Sequence, residues 1–321
     1  MRSALITGGA GFIGSHVVDA LLLEGWSVTV VDNFDPFYEE AVKLQNLAAH
    51  RNHPGFQLIR ADIRDAGTLR ASVLKPPDVI LHLAARAGVR PSILDAAGYV
   101  DVNVRGTQNM LELAREWGVG QFLFGSSSSV YGVNPNVPWS ECDSVLSPIS
   151  PYAATKVAGE LLGHVYSHLY GIRFLAMRFF TVYGPRQRPD LAIHKFARLL
   201  QAGQPIPLFG NGETRRDYTF VGDIVAGIRA AIDYRGSQYE VINLGSEHPV
   251  SLAEVLRVLA ETLSVEPKVA WMPAQPGDVP QTYADSRKAK SLLGFDPQTD
   301  FRSGVREFCR WLRDQPAVEP A

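Results

Sequence analysis

Gly8, Gly11 and Gly14 stand between an apolar run, Ala4-Leu5-Ile6-Thr7, and a stretch with Val17, Val18, Leu21 and Leu22 at helical spacing. A strand that ends in spaced glycines and passes directly into a helix restricts the fold more than anything else in this chain. Glycine at these positions permits a tight turn, close approach of backbone to a pyrophosphate, and close packing of helix on sheet. The free amides and the positive end of the helix dipole then face the phosphates, with Phe12 and Ile13 completing the cofactor-binding turn. A second strand, Val28 to Asp32, ends in a carboxylate 18 residues after Gly14, where it can accept both ribose hydroxyls. Such a carboxylate repels a 2′-phosphate, and Asn33-Phe34 follow without an arginine, so the expected cofactor is NAD.

Short β-branched runs alternate with helical stretches through the first half, the pattern of a parallel sheet with crossover helices. Further strands are predicted over Phe56 to Arg60, Asp78 to Leu83, Gln121 to Gly125 and Ile172 to Phe179. Helices are predicted over Val104 to Trp117 and Tyr152 to Tyr170. After about Thr181 many prolines and glycines break the chain into short, loop-rich pieces, which suits a smaller lobe that wraps a ligand. The expected fold is α/β: a Rossmann-type doubly wound parallel sheet over residues 1–180, and a smaller C-terminal α/β substrate-binding lobe over residues 181–321. Segments near 217–245, including a strand at Val241 to Gly245, are expected to return to the first domain.

Charge and cysteine content exclude several classes of protein. A net charge of −2 gives no general attraction to nucleic acid or to an anionic membrane, so an anionic ligand must be met by local arginines. Cys142 and Cys309 are too few for a disulfide framework and lack metal-site spacing. No apolar run reaches transmembrane length, and the N-terminus passes straight into a strand rather than a signal peptide. A cytoplasmic protein is expected.

Tyr152 and Lys156, in Tyr-Ala-Ala-Thr-Lys, carry the chemistry. On a helix, i,i+4 spacing stacks them on one face, and an ammonium beside a phenol favours the phenolate. Bringing a phenol from ~10 to about 7 requires ~4 kcal/mol, within reach of one ammonium and a nicotinamide cation together. The result is a general base beside a dinucleotide, suited to taking hydride from an alcohol. Ser127, and with it Ser129, in the run before Val130-Tyr131-Gly132, would hydrogen-bond the substrate oxygen and the phenol.

Taken together, these segments resemble the extended short-chain dehydrogenase/reductases, in particular their nucleotide-sugar epimerases, from Leu5 to about Trp311. The matching segments include Gly8 to Gly14, Asp32-Asn33, Ala61-Asp62-Ile63, Leu83-Ala84-Ala85, Asn103, the serine strand, Tyr152/Lys156 and Thr214 to Tyr218. By that resemblance Asp62 and Ile63 meet the adenine, Leu83, Ala84, Ala85 and Asn103 line the cofactor, and Lys156 also holds ribose hydroxyls. Arg216 is assigned to the diphosphate of a UDP-sugar, Arg90 to sugar or phosphates, and Asp278 to orienting an arginine or a ribose hydroxyl. Homodimerisation is expected, through a bundle of the 104–117 and 152–170 helices.

Asp32 to Tyr38, Ala87 to Ser92 and Arg178 to Asp190 narrow the resemblance to UDP-glucuronate 4-epimerases. UDP-glucose 4-epimerases usually have asparagine where Thr181 stands, and often an arginine where this chain has Ala274-Gln275. Related dehydratases and decarboxylases usually place an acid just before the Val-Tyr-Gly segment; Ser128-Ser129 stand there instead. The implied reaction is NAD-dependent 4-epimerisation of a UDP-sugar through a 4-keto intermediate, UDP-glucuronate being favoured. UDP-glucose or UDP-N-acetylglucosamine is the alternative substrate, and a non-catalytic NAD-binding protein is a distant one. A glucuronate substrate becomes a β-keto acid, so its carboxylate must be held where carbon dioxide cannot leave. Arg188 with Thr181 is expected to hold it, and Arg186 competes for that part.

Overall fold

The computed structural model describes residues 1–273 and 279–315; the predicted ligand-orienting Asp278 lies outside them. Seven strands form the main sheet: β1 (Ser3–Thr7), β2 (Ser27–Asp32), β3 (Phe56–Arg60), β4 (Val79–His82), β5 (Gln121–Ser127), β6 (Arg173–Phe179) and β10 (Tyr239–Leu244). Their order is β3-β2-β1-β4-β5-β6-β10 and every neighbouring pair is parallel. Chain order reverses between β1 and β4, which opens a crevice at the carboxyl ends of those strands. Thr7 of β1 lies opposite both Val31 and His82, so the glycine turn emerges between the ends of β2 and β4.

Side-chain alternation places the core on both faces of the sheet. Ala4 and Ile6 pack with the Phe12–Leu23 and Val221–Asp233 helices on one side. Leu5 packs on the other with Phe122, Phe124 and Phe174, beneath the Gly106–Glu116 and Pro151–Tyr170 helices. The predicted 104–117 helix begins in a π-helical turn, Asp101–Arg105, and buries Met110, Leu111, Leu113 and Ala114 in this core. Those four side chains are therefore not available for a dimer stripe. On the Pro151–Tyr170 helix, by contrast, Leu161, Val165 and Leu169 are exposed at four-residue spacing.

Beyond Thr181 the chain is more regular than its prolines suggest. Five short strands, β7 (Thr181–Tyr183), β8 (Ile206–Phe209), β9 (Arg215–Phe220), β11 (Pro249–Ser251) and β12 (Val269–Met272), form sheets ordered β11-β9-β7 and β12-β8. Helices Ala192–Gln201, Leu252–Leu263 and Phe301–Arg313 pack with them around Tyr183, Phe196, Leu259 and Phe308. Pro205 and Pro249 stand just before and at the start of strands, where no ladder donor is lost, so they bound elements without breaking them.

Candidate active site

A cleft of about 490 Å³ runs along the carboxyl edge of the sheet. The glycine turn, Asp32 and Asn33 line one end, and Ser127, Ser129, Tyr152, Lys156, Thr181 and Arg188 the other. Sites for small ligands and cofactors are of this size.

At the glycine end, Gly8 has φ of 71°, and a β-carbon there would lie 2.8 Å from the Ala84 nitrogen. A β-carbon on Gly14 would lie 2.3 Å from the Gly8 carbonyl oxygen, so a side chain would part the helix from the strand it follows. Asp32 is fixed at the rim, accepting from the Ala10 amide at 3.1 Å and the Phe34 amide at 2.9 Å. Burial pushes its carboxyl above the usual range, and the Phe34 amide and the Lys43 ammonium oppose that rise. A cradle free of side chains, ending at a fixed carboxylate, fits the pyrophosphate and ribose of a dinucleotide.

At the other end the Pro151–Tyr170 helix sets the geometry. Ser150 caps it by accepting from the Ala153 amide at 3.1 Å, and Pro151 occupies its first turn, where a missing donor costs nothing. Gly159 and Gly163 face the sheet; β-carbons there would lie 2.3 Å from the Phe124 ring and 2.1 Å from the Phe174 ring. The helix therefore rides closer to β5 and β6 than alanine would allow, and Lys156 lies over the end of β5. Lys156 Nζ donates to the Gly125 carbonyl at 2.7 Å and stands 5.8 Å from the centre of the Tyr152 ring. Burial lowers the Lys156 ammonium to about 8, and the Glu160 charge holds it from falling further.

Burial also pushes the Tyr152 phenol above its ordinary value, against a hydrogen bond with Ser127 and the charge of Arg188. The ammonium is turned to the Gly125 carbonyl, and burial outweighs what Ser127 and Arg188 supply. Ser127 Oγ donates to Ser129 Oγ at 3.1 Å and accepts from the Ser129 amide at 3.2 Å, which fixes both hydroxyls at the end of β5.

A family model described as GDP-mannose 4,6 dehydratase matches residues 5–308. The chain belongs to that family, within the extended short-chain dehydrogenase/reductases. A UDP-glucuronate 4-epimerase of Thermodesulfobacterium geofontis is 38% identical, over 97% of this chain and 96% of that one. UDP-glucuronic acid 4-epimerase from Bacillus cereus, solved with UDP-glucuronic acid and NAD, superposes with a TM-score of 0.90 at 34% identity, covering 97% and 99% of the two chains. A UDP-glucose 4-epimerase from Thermotoga maritima, solved with UDP-glucose, also gives 0.90, at 31% identity and the same coverage.

Several residues that the resemblance to this family assigned to the site take other places. Ile63, Leu83, Ala84 and Ala85 line the cleft, but Asn103 is buried and is not among its lining residues. Asn103 receives the Arg86 amide at 2.8 Å and donates to the Arg86 carbonyl and to Thr155 Oγ1, tying the loop after β4 to the tyrosine helix. Asp62 receives both Arg64 and Asn33, and the Arg64 guanidinium holds its carboxyl down at about 2, so it is occupied within the protein. Arg186 turns away to Asp19 of the Phe12–Leu23 helix at 2.8 Å. Arg90 lies over the Phe209 ring, and Arg216 donates to the Arg215 and Val279 carbonyls; neither lines the cleft.

Conversely, Tyr38 and Lys43 line the cleft although neither was anticipated. Lys43 is buried and donates to the Asp35 carbonyl at 2.6 Å. Its sequence signal was weak, an ordinary lysine on a short charged helix, Glu40–Asn46, and the fold alone turns it inward.

Proposed function

We propose that this protein catalyses NAD-dependent 4-epimerisation of a UDP-sugar, UDP-glucuronate to UDP-galacturonate, through a transient 4-keto sugar. The observation that carries this reading is Ser127, Tyr152 and Lys156 in one cleft with the glycine cradle. Among the described residues, the carboxylates lining that cleft are Asp32 and Asp35, both at its β2 end. Dehydration would need an acid–base pair near C5 and C6, where this chain presents Ser128 and Ser129, so plain epimerisation fits better.

In this reading the Gly8–Gly14 turn holds the pyrophosphate, Asp32 and Asn33 the adenosine ribose, and Lys156 the nicotinamide ribose. Bound NAD supplies reversible hydride acceptance at the sugar C4. Tyr152 takes the proton of the 4-hydroxyl and later returns one to the same oxygen, while Ser127 and Ser129 align it. Residues 181–321 form the nucleotide-sugar lobe, with the stretch near 217–245 returning to the sheet. Thr181 and Arg188 hold the uronate carboxylate; their place in the cleft, and the reach of the Arg188 charge to Tyr152, favour Arg188 over Arg186.

A neutral hexose is the second reading, because Asp190 already pairs with Arg188 through two bonds of 2.9 and 2.8 Å. Incubation with UDP-glucuronate and UDP-glucose separately, without added NAD, separates the two when products are read by NMR. Conversion of neither sugar, with or without NAD, rejects both.

A homodimer is supported by the exposed Leu161, Val165 and Leu169, joined by exposed Ile93 and Leu94 on a segment packed against that helix. A cytoplasmic location is supported by two unpaired cysteines; among the described residues no helix is long and apolar enough to cross a membrane.

A further inference from the structure

One turn beyond Lys156, on the same face of its helix, Glu160 is buried with Arg178 of β6, each 3% exposed. Arg178 donates to it twice, at 2.9 and 2.7 Å, and Ser126 Oγ donates to Glu160 Oε1 at 2.5 Å. Ser126 separates Gly125, whose carbonyl receives Lys156, from Ser127 beside Tyr152. Behind the pair, Arg178 donates to the Tyr131 hydroxyl at 2.9 Å and Tyr131 to Asn243 at 2.7 Å, so the guanidinium is anchored on a second strand.

We propose that Glu160 and Arg178 are positioning residues for the base: Glu160 fixes the β5 end through Ser126 and faces the Lys156 ammonium, while Arg178 balances its charge. The inference rests on the epimerase reading for its kinetic consequence and on geometry for the rest. A buried ion pair is poor stabilisation in itself, since removing two charges from water costs about what their attraction returns. Its use must lie in what it orients.

The other groups facing Tyr152 and Lys156 are left unchanged by substitutions in the pair. His82 of β4 is neutral, Tyr99 meets the Tyr152 ring edge-on, and Arg188 is paired with Asp190. Glu160 is the carboxylate whose charge supports the Lys156 ammonium. Altering Glu160 or Arg178 therefore changes the charge behind Lys156, while the Arg188 charge that bears on Tyr152 stays the same.

Glu160→Gln keeps an acceptor for Ser126 and leaves Arg178 unbalanced. Both limbs of the kcat–pH profile should then move to lower pH by about 0.5–1 unit, and Arg178→Met should move them to higher pH by a similar amount. The double variant Glu160→Gln/Arg178→Met should return the limbs to wild-type positions, and it replaces Arg178→Met if that variant does not fold. The Tyr152 phenol itself is read by ultraviolet titration of each protein against its Tyr152→Phe counterpart, which needs no turnover. Limbs and phenol that stay at wild-type pH, or shift alike in both single variants, overturn the proposal. Wild-type protein that converts no UDP-sugar instead removes the epimerase reading, while the phenol titration still decides the role of the pair.

Discussion

His82, at the end of β4 directly before the cleft-lining Leu83, allows a quantitative test. It is buried to 1% exposure between Thr7 and Thr107. Thr107 donates its own hydroxyl proton to the Asn103 carbonyl at 2.6 Å, so His82 Nε2 must be the donor in its 3.0 Å bond to Thr107. His82 Nδ1 is then left to accept from Thr7 at 2.7 Å. The imidazole is satisfied only when neutral, and burial, with the Lys156 charge nearby, holds it down at about 3.

The sign follows directly. An unfolded histidine protonates near ~6.5 whereas the folded one does not until about 3, so between those values the unfolded chain binds the extra proton. Stability from this group is complete above the unfolded value and is lost as pH falls, by about 1.4 kcal/mol per unit. Between pH ~7.5 and ~5 the loss is about 2 kcal/mol. The assay is urea unfolding of wild type and His82→Gln at both pH values. Other titrating groups are common to the two proteins, so the stability gap between them should narrow by about 2 kcal/mol at the lower pH. A gap of equal size at both would show that His82 is not the buried neutral group inferred here.

Three further outcomes follow from the site. Tyr152→Phe should abolish turnover while retaining NAD, checked by product NMR and by the cofactor content of the purified protein; a near-normal rate would remove Tyr152 as the base. Arg188→Ala should lower kcat/KM on UDP-glucuronate about 10- to 150-fold, the equivalent of a charged hydrogen bond of ~1.5–3 kcal/mol, and spare UDP-glucose. Equal losses on both sugars would refute a carboxylate contact. Val165→Glu, on the exposed stripe, should yield monomers by analytical ultracentrifugation, and an unchanged mass would move the dimer contact elsewhere.

Much of the first domain could be read from local pattern. The strands through β6 were each placed to within two residues or so, because short β-branched apolar runs and punctuating glycines are properties of neighbouring residues. Past Thr181 that approach misled. Prolines at element boundaries look like breaks, while the helices between them bury faces completed only by distant partners such as Phe308 against Phe196. Arginines were hardest to place. Sequence favoured Arg188 but left Arg186, two residues away, as its competitor; the left-handed turn at Arg186, φ 62°, sends it to Asp19 and leaves Arg188 in the cleft.

Sequence alone determined the phosphate cradle, because glycines between a strand and a helix carry their geometry in the backbone. It also determined the tyrosine–lysine spacing, which any α-helix converts into a shared face. Only tertiary structure decided where those charges point. Lys156 is turned to the Gly125 carbonyl, Asp62 is occupied by Arg64, and Glu160 with Arg178 is buried behind the base. Direction and burial of a charge depend on residues far away along the chain, and a charged group's chemistry depends on both.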